Sequence, residues 1–305
     1  LRIASGLLTG TVRASGTTAT VSGAIETLVG REHLANLSVR TQTQNTAPLI
    51  TGFVIGGTTP KQVLIRAAGP AIAQAPFNVP GTLGNPTLQV FRGNNTVAQN
   101  DNWNTPAANG TAVTAAAART GAFAFRAGSN DAAIVSTLQP GPYTVMIGGG
   151  NGTVLAEIYE VLANNEVAGA RRLANSSARG LVSPGNPLIA GFVISGTIPQ
   201  RVLIRGIGAT LGAPPFNVPG VLANPQLTLF RGTTALKTND DWFRDTDAAF
   251  IRDSGVRAGA FALGAQSVDA AMVIYLEPGA YTAQVSGPTG ANANNGTGIA
   301  LVEVY

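Results

Sequence analysis

The sequence contains no cysteine and a single histidine, His33. Disulfide bonds and thiolate metal sites are therefore excluded, and a catalytic triad or a histidine-based metal site would have to depend on His33 alone. No phosphate-binding loop, dinucleotide fingerprint or Gly-x-Ser-x-Gly motif stands in a suitable strand–turn–helix context. We therefore predict that the chain is not an enzyme and has no resident cofactor.

Long apolar runs are also missing, because no stretch approaches the roughly 18 residues that a membrane-spanning helix needs. We therefore predict no transmembrane segment. The first residue is Leu1 rather than methionine, so we expect a processed form from which a targeting segment has been removed. An extracellular or cell-surface location is consistent with the absence of cysteine.

Charge is scarce. Charged residues make up 11% of the sequence, against roughly 25% in an average soluble domain. Apolar residues make up 45%, which is typical of a globular protein rather than a disordered one. The net charge of +4 comes from scattered arginines with no basic run beyond Arg171-Arg172, so we predict no nucleic-acid partner. A surface with so few charges has little to protect exposed sheet edges from self-association.

The strongest feature present is an internal duplication. The segment Pro76–Gly81 recurs unchanged at Pro215–Gly220, and the segments that open on Leu34, Pro48 and Val63 recur with the same offset of 139 residues. Just beyond its tryptophan the second copy lacks one residue, and before its last segment it has a longer Gly/Asn-rich loop, Gly287–Gly298. We predict four segments: a β-rich leader (residues 1–33) as a candidate donated strand, repeat 1 (34–160), a linker (161–172) and repeat 2 (173–305).

Each repeat consists of short β-rich segments separated by turns, for which the 38 glycines and 18 prolines are suited. We expect helices only at Ala112–Arg119 and near Ala71–Ala73, and one or two strands in the leader, at Thr18–Ser22 and Ala24–Leu28. The predicted fold class is all-β, with two tandem homologous β-sandwich domains of jelly-roll-like type and an extra N-terminal β segment. Examples of the predicted strands in repeat 1 are Leu49–Ile55, Gln62–Arg66, Thr87–Phe91, Ala132–Leu138, Tyr143–Ile147 and Val154–Tyr159.

The motifs Gly-Phe, Leu-Ile-Arg-x-x-Gly, Asn-Asp-x-Trp and Pro-Gly-x-Tyr-Thr occur in both repeats, for example at Gly52-Phe53 and Asn100-Asp101. Together they resemble a recurrent unit of long secreted or surface proteins of environmental Gram-negative bacteria, over residues 34–305. The latter half of each repeat is more distantly similar to the bacterial pre-peptidase C-terminal type of β-sandwich. Both resemblances imply accessory or architectural domains outside the cell, without catalysis.

Acidic residues near the tryptophans give one candidate metal site. Calcium prefers six to eight oxygen ligands, which carboxylates and amides can supply. The alternative, which we favour, is that Asn and Asp form turns at a strand end while Asp131 or Asp269 caps a neighbouring loop. The candidate calcium ligands are Asp101, Asp131, Asp240, Asp241 and Asp269, with Asp245, Asp247 and Asp253 as further oxygen donors in repeat 2 only.

The two tryptophans, Trp103 and Trp242, occupy equivalent positions. An exposed indole would stack on a sugar ring, whereas a buried one would anchor the core; we favour the core. For Arg66 and its counterpart Arg205, we favour buried ion pairs with Glu157 or Glu303 over ligand binding.

Three functional hypotheses follow. The first is a self-assembling subunit of an extracellular filament, sheath or surface layer, whose partners are copies of itself joined by sheet edges or by the donated leader strand. The alternative is a monomeric adhesion or carbohydrate-binding module with polysaccharide as its partner. The third, a glycosidase, would need two facing carboxylates, for which Asp101 and Asp131 are the one pair to propose.

Overall fold

The computed structural model describes residues 2–4, 7–14, 17–24, 34–162, 173–194, 197–288 and 296–305. Its contacts divide the chain into two units, Leu1–Arg31 and Glu32–Tyr305. His33 and linker residues 163–172 lie outside the described residues. No helix in the described ranges is long and apolar enough to cross a membrane.

The first unit is a three-stranded antiparallel sheet in the order β1-β2-β3. Its strands are β1 (Arg2–Ala4), β2 (Leu7–Ala14) and β3 (Thr17–Ala24). The leader therefore holds three strands rather than one or two. The predicted segment Thr18–Ser22 lies within β3, whereas residues 25–28 of the other predicted segment lie outside the described residues. β1 and β2 were not predicted; β1 has three residues, too few to show an alternating pattern, and it pairs with β2.

The second unit contains the two repeats. Each early strand of repeat 1 has a counterpart in repeat 2 that lies 139 residues later in the chain. The strands of repeat 1 are β4 (Leu34–Thr43), β5 (Leu49–Ile55), β6 (Lys61–Ala68), β7 (Thr87–Arg92), β8 (Asn95–Asn100), β9 (Ala132–Leu138), β10 (Gly141–Gly148) and β11 (Gly152–Glu160). Those of repeat 2 are β12 (Leu173–Val182), β13 (Leu188–Ile194), β14 (Gln200–Ile207), β15 (Gln226–Arg231), β16 (Thr234–Asn239), β17 (Ala270–Leu276), β18 (Gly279–Ser286) and β19 (Gly298–Val304). The helices are α1 (Ala107–Thr120), α2 (Ala209–Gly212) and α3 (Ala248–Ala258), with 3-10 turns at Pro70–Ala73 and Trp242–Arg244.

Each repeat is a sandwich of two antiparallel sheets. In repeat 1 one sheet has the order β9-β6-β11-β4 and the other the order β8-β7-β10-β5, and repeat 2 has the corresponding arrangement. β5 and β13 alternate strictly between buried and half-buried residues, which is typical of strands with one face in the core. Inward residues of both sheets, such as Ile65, Val90 and Val145, meet in one hydrophobic core. The all-β, tandem-sandwich fold class is confirmed.

A helix covers the outer face of one sheet in each repeat. Val113 of α1 and Trp103 pack on Leu64 and Ala133, which point away from the sandwich core. β6 is buried along nearly all of its length because both of its faces are covered. The helix predicted at Ala112–Arg119 is confirmed and is longer. Its counterpart α3 was not predicted, because polar and charged residues interrupt the run of alanines there.

The two repeats are joined through a seam formed by β4, β5, β12 and β13. β4 pairs with β11 of its own repeat and also, antiparallel, with β13 of the other. Likewise β12 pairs with β19 and meets β5, where Leu173 lies opposite Ile55. The first strand of each repeat thus extends a sheet of the other repeat, so the inner sheet edges are satisfied within the chain.

The seam has approximate two-fold symmetry. β4 and β12 run parallel, with Leu34 opposite Leu173 and Gln42 opposite Leu181. Each of these residues faces its own counterpart in the other repeat, which places the pseudo-two-fold axis along the strands. Thr41 Oγ1 donates to the Leu181 carbonyl at 2.7 Å across this seam. The hydrophobic core continues through it, so the repeats share one interior.

Candidate functional site

Each repeat buries an arginine beneath its helix. Arg66 extends from β6, and its Nε lies 3.5 Å from Glu157 Oε2 on the neighbouring strand β11. In repeat 2, Arg205 Nε donates to Glu303 Oε2 at 2.7 Å. The predicted pairing of these arginines with Glu157 and Glu303 is confirmed. The pairing of β6 with β11 brings the two side chains together, because Arg66 lies directly opposite Glu157 in the antiparallel ladder.

Aromatic rings hold each guanidinium. Arg66 Cζ lies 4.2 Å from the ring centre of Phe123 and 3.9 Å from that of Phe125. Arg205 Cζ lies 4.3 Å from the ring centre of Phe261, the counterpart of Phe123. Stacking of this kind favours a planar, weakly hydrated cation such as guanidinium.

Burial dominates the electrostatics of the Arg66–Glu157 pair. Loss of water lowers the pKa of Arg66, with the charge of Glu157 opposing that shift. Burial raises the pKa of Glu157, and the nearby Arg66 opposes it. The Tyr159 hydroxyl donates to Glu157 Oε1 at 2.6 Å, which satisfies one carboxylate oxygen. The site is therefore a compensated ion pair in an apolar setting.

Beside each arginine lies a small cavity, bounded by the helix and the segment that follows it. The cavity measures about 180 Å³ in repeat 1 and about 260 Å³ in repeat 2. Arg66, Trp103, Val113 and Phe125 line the first, and residues at the corresponding positions line the second. The duplication has thus produced two versions of one pocket, here called the helix pockets.

The two helix pockets differ in how their polar groups are satisfied. In repeat 2, Trp242 Nε1 donates to the Gly264 carbonyl at 3.3 Å and to Ser267 Oγ at 3.2 Å. Arg205 Nη1 donates to the Phe261 carbonyl at 2.6 Å. In repeat 1, Trp103 Nε1 and all three guanidinium nitrogens of Arg66 are buried without a hydrogen-bond acceptor among the described residues.

Asp131 and Asp269 hold turns. Asp131 is fully buried, and its Oδ1 accepts from the Gly69 N–H at 2.8 Å and the Ala71 N–H at 3.1 Å. Asp269 accepts from the Gly208 N–H at 2.8 Å in the same way. These contacts match the favoured alternative, in which the two carboxylates cap a neighbouring loop. Because the Asp131 carboxylate faces that turn, the structure gives it no role as a glycosidase partner of exposed Asp101.

The remaining acidic residues make separate local contacts. Asp101 accepts from Asn102 Nδ2, Asp241 pairs with Arg244 at 3.3 Å, and Asp245 pairs with Lys237 at 3.1 Å. Over the described ranges, no group of three or more His, Cys, Asp or Glu side chains is placed to hold a metal ion. The structure therefore does not assemble Asp101, Asp131, Asp240, Asp241 and Asp269 into the calcium site considered from the sequence.

Both tryptophans are core residues. Trp103 is 9% exposed and Trp242 is 7% exposed, each packed with its repeat's helix on the sheet. Neither presents an open indole face on which a sugar ring could stack, because the helix and the following loop cover it. The glycan role considered for Trp103 and Trp242 therefore has no surface in this structure.

Asn100 and Asn239 have a structural role that the sequence did not reveal. Asn100 Oδ1 accepts from the Ala133 N–H at 3.1 Å, and Asn239 Oδ1 accepts from the Ala271 N–H at 2.9 Å. Each asparagine thus satisfies an amide at the edge of β9 or β17, where no strand is described. The signal was present in the repeated Asn-Asp motif, but sequence alone does not show which amide the side chain reaches.

Comparisons with known proteins do not place the chain in a family. No family model matches the sequence, and no curated protein matches it. Among solved structures, the chain is similar to the tandem CBM51 modules of the family 98 glycoside hydrolase from Streptococcus pneumoniae SP3-BS71. The match has 8% identity, covers 88% of this chain and 83% of that one, and has a TM-score of 0.22. A likeness at this TM-score carries no argument about function.

Proposed function

We propose that this chain is a non-enzymatic structural subunit that works outside the cell and associates with copies of itself through the outer edges of its long sheet. The observation that carries the proposal is the contrast between inner and outer edges. The inner edges are satisfied by reciprocal strand exchange at the seam. The outer strands β8 and β16 end the ten-strand order β16-β15-β18-β13-β4-β12-β5-β10-β7-β8. Within residues 34–305, as far as they are described, no strand pairs with the far side of either.

These outer strands have little protection against association. β8 contains no charged residue, and Lys237 is the one charge on β16. Each also exposes an apolar side chain, with Val97 45% and Leu236 43% exposed. Unpaired strand edges attract further strands unless charges, prolines or covering segments prevent it. The composition of β8 and β16 favours pairing with another copy.

The symmetry of the seam favours assembly in one dimension. β8 and β16 are counterparts, so the long sheet ends in two homologous edges. When β8 of one copy pairs with β16 of the next, the ten-strand order continues and leaves one β8 edge and one β16 edge free at its ends. Contacts of this heterologous kind that do not close give filaments. Among the described strands of the two repeats, β9 and β17 are the further edges outside the ten-strand order, pairing with β6 and β14 alone.

Lysines introduced into the outer strands β8 and β16 test the proposal. Val97→Lys and Leu236→Lys each place a charge on an exposed site of an outer strand, so we expect the fold to persist and assembly to be lost. Val256→Lys is the matched control. Val256 is 76% exposed on α3, so the substitution adds the same charge at a site away from β8 and β16. Assembly is measured by light scattering and electron microscopy. Edge variants that assemble as well as Val256→Lys would show that the proposal is wrong.

Strand donation by the leader is a finer proposal with its own test. A chain that begins at Leu34 retains the second unit and lacks the leader. If the leader is donated, this chain has fewer or shorter assemblies while Val97→Lys still lowers assembly in the full chain. If the truncated chain assembles as well as the full chain, strand donation by the leader is ruled out and the edge contacts remain as the proposed mechanism.

A groove favours polysaccharide binding as a second candidate function. About 330 Å³ in volume, it lies between repeat 1 and the Gly185–Pro187 turn of repeat 2, and its lining includes Arg40, Gln42 and Phe77. Phe77 is 43% exposed and belongs to the segment that both repeats share unchanged. An exposed ring beside polar groups suits a sugar. Phe77→Ala should abolish retention of the monomer in gels containing soluble polysaccharide, whereas Val256→Ala should not. Absence of retention for the unmodified chain across neutral, acidic and basic polysaccharides would exclude this function.

A further inference from the structure

The helix pocket of repeat 1 has the properties of a ligand site. From its unsatisfied donors we infer that it binds a small, neutral, largely apolar molecule through one acceptor oxygen, such as a carbonyl. This inference concerns the interior of repeat 1 and is independent of the sheet edges on which the proposed function depends.

Repeat 2 is an internal reference for this site. There, the indole N–H of Trp242 and the guanidinium of Arg205 reach protein acceptors, namely Gly264, Ser267 and Phe261. The corresponding donors of repeat 1, on Trp103 and Arg66, are buried and make no hydrogen bond among the described residues, although Arg66 Nε lies 3.5 Å from Glu157 Oε2 as an ion pair. Buried donors without acceptors are costly, so an acceptor that enters this pocket gains hydrogen bonds without displacing existing ones.

The walls of the pocket define the rest of the ligand. Val113, Ala117 and Phe125 make most of the lining apolar, and the cavity volume is about 180 Å³. An apolar cavity of about 150 Å³ accepts a benzene ring. A single ring or a short branched alkyl group therefore fits, with its oxygen directed towards Trp103 and Arg66.

The charges at the site favour a neutral ligand. Glu157 already compensates Arg66, at 3.5 Å, and the Tyr159 hydroxyl occupies one of its oxygens. A carboxylate ligand would add a second negative charge to a buried, compensated pair, which carries a desolvation penalty. A carbonyl oxygen accepts the same hydrogen bonds without that penalty.

The experiment uses the two indole N–H signals of the full chain, since the sequence has two tryptophans. Benzamide, which has a carbonyl acceptor, is titrated while a ¹H–¹⁵N spectrum is recorded, with toluene and benzoate as probes that lack the acceptor or add a charge. Trp103→Phe and Trp242→Phe assign the signals. We expect benzamide to shift the Trp103 signal saturably, to leave the Trp242 signal in place, and to bind about fivefold more tightly than toluene.

Four outcomes would overturn the inference. They are a Trp103 signal unchanged at saturating benzamide, equal shifts of both signals, equal affinity for benzamide and toluene, and benzoate binding as tightly as benzamide. Equal affinity for benzamide and toluene would mean an apolar cavity in which the donors play no part. Tight benzoate binding would refute the preference for a neutral ligand.

Ser129 provides a further control, because it is the counterpart of Ser267 and its hydroxyl is also buried without a partner. If Ser129 turned to accept from Trp103, Ser129→Ala would shift the Trp103 signal of the free chain and raise the affinity for benzamide. We expect neither change. Trp103→Phe should weaken benzamide binding about fivefold, measured by saturation transfer to the probe, because one donor is removed.

Discussion

Ser38 and Gly191 meet across the seam, where the Ser38 hydroxyl lies 3.5 Å from the Gly191 carbonyl oxygen and donates to it. The pseudo-two-fold counterpart is the contact of Ser177 with Gly52, at which a Cβ on Gly52 would lie 2.7 Å from Ser177 Oγ. A Cβ on Gly191 would overlap Ser38 Oγ in the same way. Glycine occupies both positions because the opposing serine needs the space, which makes the repeated Gly-Phe motif part of the seam.

The first prediction is that Gly191→Ala destabilises the chain by about 1–3 kcal/mol, because the new methyl group meets Ser38 Oγ in a packed interface. Ser38→Ala in the same chain should restore most of the loss, since the nearest remaining atom of residue 38, its Cβ, is 3.8 Å away. Urea unfolding of the two single variants and the double variant measures this coupling.

Gly255→Ala is the control for this cycle. Gly255 lies in α3, where a Cβ would meet nothing within 4 Å. Alanine there should be neutral or stabilising by roughly 0.5–1 kcal/mol, from helix propensity. If Gly191→Ala behaved like Gly255→Ala, the close approach at the seam would be disproved.

The second prediction concerns the two buried turn-capping aspartates. The Thr210 hydroxyl donates to Asp269 Oδ2, whereas Ala71 stands at that position in repeat 1 and Asp131 Oδ2 is buried without a partner. Ala71→Thr should therefore stabilise the chain by about 0.5–1.5 kcal/mol, and Thr210→Ala should destabilise it by about 1–3 kcal/mol. Thermal and urea unfolding distinguish the two signs. Destabilisation by Ala71→Thr, stabilisation by Thr210→Ala, or the same effect of both substitutions would contradict the assigned role of the hydroxyl.

The third prediction concerns Lys61 and Glu160, a buried ion pair of repeat 1. Glu160→Gln should cost about 3–5 kcal/mol, because it removes a negative charge that lies against the buried Lys61 ammonium. Adding Lys61→Met to that variant should recover most of the stability, since it removes the buried positive charge. Repeat 2 has Gln200 at the position of Lys61, so the fold tolerates a neutral residue there. A double variant less stable than Glu160→Gln would argue against this account.

The fourth prediction is a pH dependence. Burial alone would raise the pKa of Asp245, but the Asp247 N–H and the Lys237 ammonium outweigh burial and hold this pKa below its usual value of 3.8. A lowered pKa contributes stability that is present above the unfolded-state pKa and is lost as pH falls through the folded-state pKa.

Asp245→Asn should therefore destabilise the chain at neutral pH, on the order of 0.5 kcal/mol for an ion pair whose lysine is partly exposed to solvent. The difference from the unmodified chain should vanish in acid. Urea unfolding at neutral pH and in acid measures both values. Asp253→Asn is the control, because Asp253 and its partner Arg252 are both more than half exposed. A loss for Asp245→Asn that persisted in acid would show that packing, rather than charge, is responsible.

Strands with one buried face were predictable. The strands expected at Leu49–Ile55 and Ala132–Leu138 match β5 and β9 residue for residue, because both segments are rich in apolar and β-branched residues. β4 and β8 were not among the strands named from the sequence; β8, Asn95–Asn100, has no buried face and hence no apolar period. α3 was missed for a related reason, since its charged residues conceal the few that pack inward.

The candidate site was only partly predictable. The pairing of Arg66 with Glu157 could be expected, because a charged residue at the end of an apolar strand needs a buried partner. The helix pocket could not, because it depends on how α1 and the loop after it lie on the sheet. The reciprocal exchange of β4 and β12 could not be predicted from the sequence either. Because the two repeats are similar, each first strand has two similar sheets with which it could pair, and the sequence does not show which one it joins.

The sequence by itself determined the duplication, the all-β class and the positions of several strands, because each is recorded in residue identity and in local periodicity. Only the tertiary structure decided that the repeats share one core through exchanged first strands, that the tryptophans are enclosed, and that two unprotected edges end the long sheet. Those features depend on contacts between residues far apart in the chain, and local patterns do not specify which of several equivalent edges will pair.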